Sequence, residues 1–157
     1  MKLRLGSTNI CLAQRFNISK TLVSNIFTTW IKILGKELGV LVYNPSKDVV
    51  MKTLPAKFKM PGYSNVRHII DCTEFFIETP SDSDWKATTW SEYKHHNTAK
   101  VLVSITHDGS FNFVSKAWRG RTSDVLLRRE SGFYDICEPY DEVSADRGFT
   151  IGEDLLL

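Results

Sequence analysis

The sequence predicts an α/β fold, a mixed sheet built in the order strand, strand, strand, helix, strand, with a small helical segment ahead of it. Three observations carry this. The front of the chain repeats apolar side chains at helical spacing, and from Val66 the pattern changes to runs of β-branched and aromatic residues. Turn-forming residues then divide those runs as a hairpin followed by a crossover helix would require. A chain of 157 residues suits one domain with a small appendage, and 42% hydrophobic with 24% charged residues is enough to bury a core.

Residues 9–16 form a short amphipathic stretch with Ile10, Ala13 and Phe16 near one face. Asn17-Ile18 is a tight break, and Ser19 is a good N-cap for a second helix running to about Leu34. In that helix Leu22, Ile26, Trp30 and Ile33 recur at helical spacing, and Val23, Phe27 and Leu34 widen the stripe. Two helices joined by a short turn are the minimum of a helix-turn-helix. Its early exposed residues, Ser19, Lys20, Thr21, Ser24 and Asn25, are of the size and polarity that reach phosphates and base edges in a major groove. A helical hairpin used only for packing fits the same pattern. Residues 43–65, with Pro45, Pro55, Pro61 and Gly62, read as a linker carrying one helical turn over residues 48–54. The predicted division is therefore 1–42 helical, 43–65 linker and 66–157 sheet domain.

Residues 66–78 read as a strand and residues 79–86 as a polar loop. Residues 100–106 are a second strand, and His107-Asp108-Gly109-Ser110 carries the Asp-Gly signal of a hairpin turn into a third strand over residues 111–117. After a loop containing Gly120, Ser123 or Asp124 caps a helix through Arg129. Residues 142–145 are a short strand ended by Asp146-Arg147-Gly148. Three antiparallel strands, a helix and one more strand are the opening of an RNase-H-like sheet.

The net charge of +2 conceals an asymmetry: residues 1–60 carry ten Lys/Arg against two acids, and residues 61–157 ten against sixteen. A basic front half suits a polyanion and an acidic back half suits metal ions, although uneven surface charge has the same signature. Cys11, Cys72 and Cys137 are odd in number and widely spaced, which argues against a zinc knuckle or a disulfide framework. No apolar run approaches the ~18 residues of a membrane span.

Among candidate chemical groups, Asp71 interrupts the apolar run that begins at His68, where an ionised carboxylate needs a partner such as a divalent cation. Strand alternation puts Asp71 and Thr73 on one face and Cys72 and Glu74 on the other. Asp146 ends the last strand, so the two aspartates converge if that strand lies beside the one bearing Asp71. Asp124 opens a helix just after the flexible Gly120 loop. Magnesium takes hard oxygen ligands, a few carboxylates with water and phosphate oxygens, and a pair of such ions activates the nucleophile and stabilises the leaving oxygen at a phosphodiester. Each aspartate alone is equally well a cap or turn residue. His95 and His96 are adjacent and would face opposite ways on a strand. Lys94 or His95 is a candidate for touching DNA, and a structured loop explains the same residues. Trp85, Trp90 and Trp118 suit base stacking or the edge of a core. Arg119, Arg121, Arg128 and Arg129 suit phosphates or plain solvation.

Ile70-Asp-Cys-Thr-Glu74, Tyr93-Lys-His-His-Asn-Thr98, Gly120-Arg-Thr-Ser-Asp124 and Ala145-Asp-Arg-Gly-Phe149 together resemble, in order and spacing, the DDE superfamily endonucleases. The nearest branch is that of PIF/Harbinger-type transposases. The front segment, Leu12-Ala-Gln-Arg-Phe-Asn-Ile-Ser19 through Val23-Ser-Asn-Ile26 and Trp30, is similar to the helix-turn-helix that precedes this domain in such proteins. The resemblance implies an RNase-H-like, transposase-derived nuclease that uses magnesium or manganese for phosphodiester cleavage or strand transfer on DNA, and that resides in the nucleus. It implies Asp71 and Asp146 as catalytic, and Asp71, Asp124 and Asp146 as metal ligands. The family's last catalytic Glu is expected on a helix well past Asp146, beyond Leu157, so the chain is expected to be a fragment without activity. A DNA-binding module without catalysis and a decayed transposon relic are the other expectations.

Overall fold

The computed structural model describes residues 1–60 and 62–146. Its internal contacts divide the chain into two compact units, Met1–Leu41 and the remainder from Val42.

The first unit contains α1 (Lys2–Leu5), α2 (Asn9–Phe16) and α3 (Lys20–Glu37), followed by a 3₁₀ turn at Leu38–Leu41. Local side chains set the boundaries of the two longer helices. The Thr8 hydroxyl accepts the Cys11 N–H at 3.2 Å, and the Ser19 hydroxyl accepts the Leu22 N–H at 3.1 Å. Asn17 ends α2 in the left-handed conformation at φ 51°, a role in which asparagine is second only to glycine. The helical stripe on α3 is present but half bare: Val23 is buried, whereas Leu22, Ile26 and Trp30 are 45%, 44% and 57% exposed. An eight-residue α2 covers only part of an eighteen-residue α3.

The second unit takes in the segment expected to be a linker. α4 (Lys47–Lys52) and the turn after it bury Val50 and Leu54. Asn44 donates to the Ile136 carbonyl at 2.8 Å, and the Arg67 guanidinium donates to the Pro45 carbonyl at 2.7 Å. Residues 43–65 are therefore tied to the sheet rather than strung between units.

Among the described residues the sheet has six strands: β1 (Val66–Phe76), β2 (Trp90–Ser91), β3 (His96–Ile105), β4 (Phe111–Val114), β5 (Trp118–Arg119) and β6 (Glu142–Ala145). β1 lies at its centre, antiparallel to β3 and parallel to β6. The far edge of β3 is shared in succession by β2, β5 and β4. The fold is thus α/β with a mixed, RNase-H-like sheet. The unit also contains helices α5 (Ser83–Thr89) and α6 (Asp124–Glu130). Where a loop was expected over residues 79–86, Asp82 accepts the Trp85 N–H at 2.9 Å and starts α5. The same Ser/Asp run that suggests a loop is also good helix-capping sequence.

Ile70, Leu102, Leu127 and Phe133 form the core, so α6 packs on the face of β1 that carries the even-numbered residues. Arg128, a candidate phosphate contact by sequence, is fully buried on that helix, which removes it from any DNA-facing surface. At the start of β1, Arg67 pairs with Asp141 at 2.9 Å and with Glu138 at 2.8 Å, fixing β1 to the segment entering β6. His68 is fully buried between Asn112 and Asp141.

Candidate active site

The parallel pairing of β1 with β6 ends at Ile70 opposite Ala145. Asp71 is the next residue of β1, and Asp146 is the first residue after β6. β6 stops there while β1 continues to Phe76. The step opens a cavity of about 700 Å³ lined by Asp71, Cys72, Thr73, Glu74, Tyr93, Lys94, Lys100, Asp124 and Asp146. It lies at the carboxyl ends of a parallel strand pair, where α/β sheets habitually place their ligands. Asp71 and Asp146 are both exposed. One Asp71 oxygen accepts the Cys72 N–H at 2.8 Å, which fixes the carboxylate against its own strand.

The other acids of the cavity are organised by a lysine. Register places Glu74 directly across from Lys100, whose ammonium lies 3.4 Å from Glu74 Oε1 and 2.9 Å from Asp124 Oδ1. The same ammonium donates to the Thr122 carbonyl at 3.0 Å, and the Thr98 hydroxyl donates to Glu74 at 2.8 Å. Burial works against charge on both Glu74 and Lys100, but their partners prevail. Hydrogen bonds from Ser91 and Thr98, with the Lys100 charge, hold Glu74 below the usual carboxylate range. Asp124 and Glu74 hold Lys100 above the usual lysine range. Cys72, beside them, is pushed up to about 12 by burial and by the neighbouring Asp124, which favours the thiol form.

The structure therefore brings Asp71, Asp124 and Asp146 to one cavity but in two settings. Asp71 and Asp146 stand at the open strand ends, and Asp124 is held by Lys100. Among the described residues no cluster of three or more His, Cys, Asp or Glu is arranged to hold a metal. Magnesium seldom uses an all-protein cage and takes a few carboxylates completed by water and phosphate oxygens. His95 and His96 do not line the cavity. His95 adopts φ 50° in the turn before β3, and His96 lies edge-on to Phe76 at 5.1 Å. In the first unit, Ser19, Lys20, Thr21, Ser24 and Asn25 are all exposed at the start of α3, with the Ser19 hydroxyl engaged in its cap.

The profile of the DDE superfamily endonuclease family matches residues 70–157, more than half the chain. The chain belongs to the DDE superfamily endonucleases. A second profile, the helix-turn-helix of DDE superfamily endonuclease, matches residues 1–39 and so covers α1 to α3. No curated protein and no solved structure matches the chain. DDE superfamily endonucleases generally use divalent metals, and a helix-turn-helix joined to such a domain implies DNA as the partner. No described helix is long and apolar enough to cross a membrane.

Glu74 and Lys100 were not singled out by sequence. The signal available was a lysine inside an apolar strand, the same anomaly that marks Asp71.

Proposed function

We propose that this DDE endonuclease domain is transposase-derived and directs phosphodiester cleavage or strand transfer on DNA, with a divalent cation held by Asp71 and Asp146. The supporting observation is their adjacency: remote in sequence, they follow the last paired residues of two neighbouring parallel strands and share one open cavity. A bound magnesium or manganese ion would supply Lewis acidity and a water of lowered pKa. The chain's own residues do the positioning. β1 and β6 fix the spacing of the carboxylates, and the Cys72 N–H fixes the Asp71 rotamer. The exposed residues at the start of α3 are proposed to contact DNA. Nuclear residence is the corresponding proposal for location.

Metal binding is separable from turnover and is the step to test. Isothermal titration of the whole chain with manganese should show uptake that weakens about tenfold or more in Asp71→Asn and in Asp146→Asn, consistent with loss of one ligand from a two-carboxylate site. Uptake that is absent, or indifferent to both changes, refutes the metal assignment. Salt-sensitive DNA binding surviving alongside that result would favour a DNA-binding module without catalysis.

A further inference from the structure

Among the described residues, the cavity is lined by four carboxylates, from Asp71, Glu74, Asp124 and Asp146, and by two lysines. A phosphodiester brought to such a wall is repelled unless a cation receives it. Lys100 is buried and already shared between Glu74 and Asp124. Among the described residues, the other lysine of the lining is Lys94, which is exposed.

Lys94 is placed by backbone rather than left to wander. Ser91 and His96 pair across the β2–β3 hairpin, and His95 turns the chain with φ 50°. The Lys94 N–H donates to the hydroxyl of buried Ser91 at 3.2 Å. Its ammonium lies 4.5 Å from the centroid of the Tyr93 ring, which is itself 81% exposed and lines the same cavity. A lone surface Tyr-Lys pair is ordinary. The distinction here is that the pair lines an acidic cavity in which Lys100 is already spent on the cavity's own carboxylates.

We propose that Lys94 is a substrate-positioning residue, which seats a DNA phosphate in this acidic cavity, with Tyr93 steadying its ammonium by a cation–π contact. The inference rests on DNA being the substrate of this cavity, and it does not require the metal to be bound.

The test is binding of the whole chain to a labelled duplex oligonucleotide across a salt series, with and without manganese. Lys94→Gln should make the slope of log affinity against log salt about one unit shallower, since one phosphate contact is lost. Lys94→Arg should keep the slope, and Tyr93→Ala should weaken binding several-fold with the slope kept. Without metal, Asp71→Asn should tighten binding several-fold by relieving repulsion in wild type, and should do so less in Lys94→Gln. An unchanged slope in Lys94→Gln overturns the proposal. So does an equal loss in Lys116→Gln, an exposed lysine outside the cavity lining, because the effect would then be diffuse charge. If manganese leaves wild-type affinity unaltered while the Lys94 effects hold, the metal assignment fails and the lysine assignment stands.

Discussion

Lys100 is the residue on which the inner wall of the cavity depends. Its ammonium is the counter-charge of two carboxylates, and removing one member of a buried ion pair typically costs ~3–5 kcal/mol because the others stay behind uncompensated. Lys100→Met is therefore expected to lower the denaturant midpoint strongly. Asp124→Asn should do far less, near the ~1 kcal/mol of an exposed pair, because the Asp124 side chain is 39% exposed and water screens it. Glu74 adds a pH signature. Its folded-state pKa lies below the ordinary 4.5, so its contribution is fully present above that pH and is lost as pH falls through the lowered folded value. The acid limb of wild-type stability should accordingly be steeper than that of Lys100→Met. The sequence makes Asp71 conspicuous because the charge sits inside an apolar run. It hides Lys100 because the strand was read as starting there, where a charge needs no partner. β3 in fact begins at His96, which puts Lys100 in mid-strand.

At the scale of elements, Gly120 shows how a correct motif can carry the wrong physical reason. By sequence it is the flexible point of a loop before Asp124. In the structure its N–H donates to the Thr98 carbonyl at 3.0 Å, and an added Cβ would lie 2.6 Å from the Thr89 carbonyl oxygen and 2.9 Å from that of Thr98. Glycine is needed for close approach of one backbone to two others, not for mobility. Gly120→Ala should push the β5 turn off β3, and destabilisation of about 2 kcal/mol or more is expected, read as a fall in melting temperature. Because Thr98 also holds Glu74, the loss should reach the cavity. Strands β1 and β6 and helices α2 and α6 were legible from periodicity and caps. α5 was not, because a polar Ser/Asp run signals a loop and a helix start with the same residues. The 43–65 segment was not, because proline content reports backbone stiffness and says nothing of long-range anchors such as Asn44 to Ile136.

For the whole molecule, the sequence separates a basic helical front from an acidic sheet, and the chain forms two compact units, with α1 to α3 in the first and the sheet in the second. The meeting of Asp71 with Asp146 was legible only conditionally. Alternation fixes which face a residue takes within one strand, but nothing local gives the register between strands some seventy residues apart; the β1–β6 ladder supplies it. The most direct measurement of the central claim is a crystal of the chain soaked in manganese, read by its anomalous scattering. The prediction is a peak within about 2.0–2.6 Å of carboxylate oxygens from both Asp71 and Asp146. A peak held by Glu74 and Asp124 instead, with Asp71 and Asp146 left unliganded, would contradict it.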